Sequence, residues 1–136
     1  MSHLKNVFNP NSTETNTFLG LPACPDLAEL EAAVAIIGAP VATPYPGFGL
    51  YSATAPEAIR AAMATYTPLA GHHDFEIGGS LLDEQFGPVV DAGDLPAGET
   101  DFAANRAIIT EAVKQIGQAG AAPIVIGGDD SVPIPV

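Results

Sequence analysis

The sequence predicts an α/β domain in which helices flank a parallel sheet, and three apolar runs carry this prediction. Short runs rich in Ala, Val and Ile lie at 33–40, 87–95 and 121–128, as in strands buried on both faces. Helical patterns at 56–66 and 101–119 separate these runs. Strands that alternate with helices in this way form a parallel sheet with helical crossovers.

The elements follow in chain order. We expect residues 1–32 to form an arm or short surface helix, with Asp26 capping a turn ahead of Leu27 and Leu30. Residues 33–136 then form the α/β domain, which begins with the strand "AVAIIGAP". The next stretch, "VATPYPGFGLYSAT" at 41–54, holds two prolines, two glycines and three aromatic residues, so it predicts an irregular loop. Loops of this length inside a compact domain usually have a function.

Two amphipathic helices and one short strand complete the pattern. Pro56 suits a first helical turn and Glu57 suits the positive end of the helix dipole. The stretch at 72–87 predicts a short edge strand, and Gly120 is placed where the second helix would terminate. The residues expected on the buried helix faces are Ile59, Met63 and Tyr66 in the first helix, and Phe102, Ile108, Ile109, Val113 and Ile116 in the second.

Composition limits the function classes. The chain has 136 residues, 47% of them hydrophobic, so it is long and apolar enough for one domain with a core. Sixteen acidic and four basic side chains give a formal net charge of −12, which argues against nucleic acid or an anionic membrane as a partner and favours cationic ligands or metal ions. The alternative explanation of this acidity is a solvated surface. One cysteine and no signal-like or membrane-spanning apolar segment predict a cytoplasmic protein.

The acidic turn after the third predicted strand is the main candidate site. Gly127 and Gly128 would let the backbone turn sharply and deliver Asp129 and Asp130 to the rim of the sheet. Paired carboxylates suit a divalent cation such as Mn²⁺ or Mg²⁺. An Asp-Asp-Ser sequence after a strand also serves as a plain helix cap, so spacing alone leaves both interpretations open.

Other candidate chemistry is weaker. Asp91 and Asp94 end the second predicted strand, and we expect them to bond loop N–H groups. The Gly-Gly pair lacks the further glycines and lysine of a phosphate-binding loop.

Three stretches in one order resemble the ureohydrolase family of arginases, agmatinases and guanidino-acid hydrolases. "AIIGAPVATPYPGFGLYSATAPEAIRAA" is similar to the family's early strand, glycine-rich loop and Pro-x-x-Ile-Arg helix. "VVDAGDL" resembles its Asp-x-Gly-Asp strand end, and "PIVIGGDDSVPIPV" resembles its Gly-Gly-Asp-His-Ser turn. The resemblance covers residues 33–136 and implies the amino-terminal part of an arginase-like three-layer α/β/α fold, incomplete in this chain.

The resemblance also implies a reaction and a set of roles. In such enzymes two Mn²⁺ ions, or Ni²⁺ as an alternative, activate a hydroxide that attacks a guanidinium carbon and releases urea. Asp130 stands where the family has a metal-binding His, so it becomes the candidate metal ligand. Asp129 would orient the turn and Ser131 would cap a following helix. Tyr45, Phe48 and Tyr51 would line the entrance for a guanidino substrate such as agmatine or guanidinobutyrate.

The family's other ligands come from an Asp-Ala-His-x-Asp and an Asp-x-Asp element, which do not occur in this sequence. We therefore expect a companion chain to supply them, in a homo- or hetero-oligomer. Two alternatives stay open: a catalytically silent ureohydrolase-like chain with an assembly role, and a free-standing α/β module unrelated to the family.

Overall fold

The computed structural model describes residues 16–136, and the first half of the predicted arm lies outside them. Three parallel strands form the main sheet, and two α-helices cover it. The elements in chain order are β1 (Val34–Gly38), α1 (Ala55–Met63), β2 (His73–Asp74), β3 (Gly79–Ser80), β4 (Val89–Asp94), α2 (Phe102–Gln118) and β5 (Ala122–Ile126).

The sheet has the order β4-β1-β5, and both pairings are parallel. Strand β1 is central, which explains its continuous apolar run: a middle strand of a parallel sheet is covered on both faces. Its last residue, Gly38, pairs with Ile126 of β5 and with Asp94 of β4. The three strands thus end at one edge of the sheet, and the fold class that the sequence predicts is confirmed.

Alternate residues of β1 divide the core into two layers. Ala35 and Ile37 lie in the larger hydrophobic cluster with Ile109 and Ile116 of α2. Ile36 lies in the smaller cluster, where Met63 of α1 packs against it. Burying an aliphatic side chain of this size contributes about 1.5–3 kcal/mol. Helices therefore pack on both faces of the sheet, in three layers.

The segment before β1 packs against the outer edge of β4. The backbone N–H of Cys24 donates to the Asp91 carbonyl at 2.9 Å, and the Asp91 N–H donates to the Pro22 carbonyl at 2.9 Å. Asp26 accepts a hydrogen bond from the Ala28 N–H and caps a short 3-10 helix, as predicted. Buried side chains of this segment are Leu19, Leu21, Leu27 and Leu30. The segment thus covers one edge of the sheet, and the boundary at residue 32 stays a prediction.

The helices differ from prediction in length and in the residues they bury. Helix α1 ends at Met63 and continues as a 3-10 helix, Ala64–Leu69, that leaves Tyr66 54% exposed. The buried residues of α1 are Pro56 and Arg60. In α2 the predicted Phe102 is 44% exposed, whereas Asn105 is buried. The placement of Tyr66 and Phe102 on buried faces was wrong, because each stands at or beyond a helix end, where few neighbours cover it.

The predicted edge strand at 72–87 belongs to a separate small sheet. Strands β2 and β3 pair only with each other, in antiparallel register. Within the described part of the chain, no helix has the length and apolar character needed to cross a membrane.

Candidate functional site

The aromatic loop (residues 41–54) and the acidic turn (residues 127–131) meet at the carboxyl edge of the sheet. The loop follows β1 and the turn follows β5, and these two strands are parallel neighbours. The Ala39 N–H donates to the Ile126 carbonyl at 2.8 Å, and this bond joins the two segments of the chain where they leave the sheet. Residues 86 positions apart are thereby brought into direct contact, as between Thr43 and Asp129.

Asp129 is the buried anchor of the acidic turn. Its carboxylate accepts hydrogen bonds from the backbone N–H groups of Ala42 at 3.2 Å, Thr43 at 3.3 Å and Ser131 at 2.9 Å. Burial alone would raise the pKa of Asp129, but the hydrogen bonds from Ser131, Ala42 and Thr43 lower it. The carboxylate is therefore fixed as an anion, in a position suited to orienting the turn.

Ser131 closes the same network. Its hydroxyl donates to Asp129 at 2.8 Å and accepts from the Thr43 N–H at 2.9 Å. Residues 130–134 form turns and a bend, with no helix after Ser131 in the described residues. Ser131 thus holds the loop to the turn, and its expected role as the cap of a following helix stays a prediction.

The two glycines of the turn are required for space. Neither Gly127 nor Gly128 has a positive φ, so the need for glycine at these positions comes from the lack of room for a side chain. A Cβ on Gly128 would lie 2.5 Å from the Cβ of Ala55 and 3.1 Å from that of Ser52. A Cβ on Gly127 would lie 2.8 Å from the Ala39 carbonyl oxygen. The glycines let the turn pack directly against the start of α1 and the end of β1.

Asp130 points to the exposed side of the turn and contacts Tyr45 of the aromatic loop. The Tyr45 hydroxyl lies 2.9 Å from Oδ1 and 3.2 Å from Oδ2 of Asp130. This hydrogen bond, followed by the charge of Asp130, raises the pKa of Tyr45, because a phenolate there would face a carboxylate. Tyr45 therefore remains a neutral donor to the candidate metal ligand.

The structure brings two of the three predicted entrance residues together. The rings of Tyr45 and Tyr51 lie 6.2 Å apart, tilted by 45°. Tyr51 is 54% exposed, and its partial burial, followed by the charges of Asp129 and Asp130, raises its pKa. Phe48 is 75% exposed at the tip of the loop and pairs with no other ring in residues 16–136. Tyr45 and Tyr51 thus present aromatic surface next to carboxylates, an arrangement that suits an organic cation.

Sequence reasoning missed Arg60, the buried cation next to this edge. Its guanidinium donates to both carboxylate oxygens of Asp91, at 2.7 and 2.9 Å, and also to Asp94. Asp91 further accepts from the N–H groups of Phe18 at 2.7 Å and Gly93 at 2.9 Å, so the expectation that it bonds backbone N–H groups is confirmed. The signal available in the sequence was that Arg60 is the one basic residue of helix α1.

This ion pair changes the titration of both partners. Burial would raise the pKa of Asp91, but the hydrogen bonds from Arg60, Phe18 and Gly93 lower it. Burial would lower the pKa of Arg60, whereas Asp91 and Asp94 raise it. Both groups are charged at neutral pH, and the pair connects α1, β4 and the segment before β1.

Comparison with known proteins identifies the family. The sequence model of the arginase family matches residues 32–136. The chain belongs to the arginase family. The alternative of an unrelated free-standing α/β module is therefore wrong.

Similarity to the solved structure of an amidino hydrolase supports the same conclusion. The chain is similar to the proclavaminate amidino hydrolase from Streptomyces clavuligerus, with 26% sequence identity and a TM-score of 0.68. The match covers 93% of this chain and 39% of that protein. This arginase-family chain thus spans about two fifths of the solved enzyme's length, and its fold corresponds to part of a domain.

Members of the arginase family generally bind manganese, and Asp130 is the one residue that the sequence predicts as a ligand for it. Asp130 offers exposed carboxylate oxygens, the donor type that Mn²⁺ prefers. Within residues 16–136, no three His, Cys, Asp or Glu side chains converge to hold a metal ion. Any complete manganese site would need ligands from beyond this part of the chain.

Proposed function

We propose that this chain is the amino-terminal part of a metal-dependent hydrolase that cleaves linear amidines and releases urea. The observation that carries the proposal is Asp130, held at the carboxyl edge of an arginase-family sheet beside an exposed aromatic loop. Bound Mn²⁺ would supply the Lewis acidity that activates water, with Ni²⁺ as the alternative ion. This chain's own contribution is one oxygen ligand, the turn that positions it and part of the substrate entrance.

The proposed substrate is a cationic guanidino compound such as agmatine, guanidinobutyrate or guanidine. Tyr45 and Tyr51 provide ring faces for a planar cation, and the exposed Phe48 at the loop tip is the third proposed contact. The net charge of −12 raises the local concentration of cations in the same way for all three compounds. It also disfavours nucleic acid and anionic membranes as partners. A cytoplasmic location is part of the proposal, based on the single cysteine.

We propose that further polypeptide, as the same chain or as a companion chain, completes the domain and its metal site. The outer edge of β5 has no strand partner among the described residues, whereas residues 22–24 cover the outer edge of β4. Ile124 of β5 is 47% exposed, and Ile134 and Val136 nearby along the chain are 69% and 57% exposed. An apolar, unpaired edge of this kind is a surface that another strand and its flanking helix would cover. We expect the complete protein to be a homo- or hetero-oligomer.

Metal content and hydrolysis test the proposed function in the complete protein, with all of its polypeptides. We expect denaturing and native mass spectrometry to show the remaining polypeptide and bound manganese. In a separate assay, we expect the protein to release urea from a guanidino compound. Asp130→Ala should lower the bound manganese and the rate of urea release. Glu57→Ala, which removes an exposed carboxylate at the start of α1, is the matched control and should change neither.

A catalytically silent chain with an assembly role is the second candidate. It is favoured by the fact that residues 16–136 bring no three potential metal ligands together. A complete protein that retains no metal and hydrolyses no guanidino compound would establish this role and would contradict the hydrolase proposal.

A further inference from the structure

Asp129 and Asp130 are adjacent acidic residues that differ in burial and in the number of groups that donate hydrogen bonds to them. Asp129 is 4% exposed and accepts hydrogen bonds from three backbone N–H groups and one hydroxyl. Asp130 is exposed, and in residues 16–136 the Tyr45 hydroxyl is the one group that donates a hydrogen bond to its carboxylate. A free carboxylate on an exposed turn samples several rotamers, so a single strong donor decides which one it occupies.

The position of the Tyr45 hydroxyl depends on the conformation of the aromatic loop. Tyr45 pairs with Gly49 across a narrow turn, and its carbonyl accepts from the Phe48 N–H at 3.1 Å. The Tyr45 ring also lies against that of Tyr51. Thr43, two residues before Tyr45, is hydrogen-bonded to Asp129 and Ser131 of the turn, so the ordered loop holds the Tyr45 hydroxyl beside Asp130.

We propose that Tyr45 is a positioning residue for Asp130 and couples retention of the metal to the order of the aromatic loop. This inference rests on the proposed function, in which Asp130 is a metal ligand. Partners that hydrogen-bond a ligating carboxylate set its orientation, and their removal typically lowers metal affinity about 10- to 100-fold. Coupling is reciprocal, so metal bound at Asp130 should also order the loop.

The test compares Tyr45→Phe with Tyr66→Phe in the complete protein. Tyr66 is 54% exposed, close to the 45% of Tyr45, and its hydroxyl makes no hydrogen bond within the described residues, so the two variants lose the same group. Mn²⁺ affinity is measured by titration, and amide hydrogen exchange of residues 41–54 is measured with and without Mn²⁺. We expect Tyr45→Phe to weaken Mn²⁺ binding about tenfold and to abolish the Mn²⁺-dependent protection of the loop. Tyr66→Phe should behave as the unmodified protein.

Two outcomes would overturn the inference in distinguishable ways. If the unmodified protein binds Mn²⁺ and Tyr45→Phe retains the same affinity and loop protection, the role of Tyr45 is disproved while the hydrolase proposal stands. If the unmodified protein binds no Mn²⁺, the hydrolase proposal fails, and faster loop exchange in Tyr45→Phe would then show that the contact only ties the loop to the turn.

Discussion

At the scale of single residues, Arg60 presents the clearest energetic question. The Arg60 side chain is 7% exposed and that of its partner Asp91 is 1% exposed, so folding removes two full charges from water. That transfer costs several kcal/mol per ion, and only close pairing with every polar atom satisfied offsets it. The bidentate contact with Asp91, the contact with Asp94 and the two backbone N–H groups on Asp91 meet this requirement. The ion pair contributes little net stability to the fold, but a buried Arg60 or Asp91 without its partner would be strongly destabilising.

We therefore predict that Arg60→Met lowers the free energy of unfolding of the complete protein by about 3 kcal/mol, because Asp91 is left buried and uncompensated. Urea denaturation followed by circular dichroism measures the change. Arg106→Met is the matched control, since Arg106 forms no ion pair in residues 16–136, and should cost less than about 0.5 kcal/mol. Equal losses in the two variants would show that the buried pair has no special role.

The same pair predicts a pH dependence. Because the pKa of Asp91 is lower in the folded protein than its unfolded value of about 3.9, ionised Asp91 stabilises the fold above that value. This stabilisation is lost as the pH falls through the lower, folded pKa. In Arg60→Met, burial acts on Asp91 without its cation, and we expect acidification from about pH 6 to about pH 3.5 to cost less stability than in the unmodified protein. An equal loss in both would contradict the assigned cause of the pKa shift.

At the scale of elements, the contact between the acidic turn and α1 depends on Gly128. We predict that Gly128→Ala lowers the free energy of unfolding by about 1–3 kcal/mol, because the added methyl group overlaps Ala55 and the start of α1 must move. Gly117→Ala is the control: an added Cβ there meets no atom within 4 Å, and alanine in a helix is favoured by about 0.5–1 kcal/mol. Thermal unfolding of both variants should shift in opposite directions. Stabilisation by both would contradict the close packing of the turn.

The elements also show which features sequence patterns predict and which they do not. The three strands and α2 follow from apolar runs and from Gly120, which are local signals. The structure gives Gly120 a φ of 84° and adds a cap that was not predicted, the Asp101 side chain. Asn105 is buried because its side chain exchanges two hydrogen bonds with the backbone of Gly98, at 2.7 and 2.9 Å. Such contacts depend on tertiary placement, which periodicity does not record.

In the candidate site, too, some features follow from sequence patterns and others depend on tertiary contacts. Strand ends at one sheet edge predict that the aromatic loop and the acidic turn come together, and the structure joins them through Asp129. The partner of Tyr45 was not predictable, because the loop that carries it has no regular geometry. The family resemblance supplied Asp130 as the candidate ligand, and its role as a ligand stays a prediction.

At the scale of the whole molecule, the two edges of the main sheet differ in whether another segment of the described chain pairs with them. The outer edge of β4 is paired with residues 22–24, and the Arg60 cluster fixes that segment through the Phe18 N–H. The outer edge of β5 borders a shallow groove lined by Pro123, Val125, Val132, Pro133 and Val136. The chain covers 39% of its solved relative, and under the proposed function further polypeptide of the domain would cover this groove. An uncovered edge of this kind pairs with whatever strand is available.

This asymmetry gives the last prediction, for the 136-residue chain prepared alone. We expect it to self-associate as its concentration rises, because the exposed edge of β5 pairs between copies. Ile124→Lys should shift the chain towards the monomer, since an exposed lysine on an edge strand opposes edge-to-edge pairing. Phe75→Lys is the matched control: Phe75 is 92% exposed but lies between β2 and β3, outside the main sheet, and its replacement should leave self-association unchanged. Size-exclusion chromatography with light scattering across a concentration series measures the mass. If the chain is monomeric throughout, or if only Phe75→Lys reduces association, the edge of β5 is not the exposed interface.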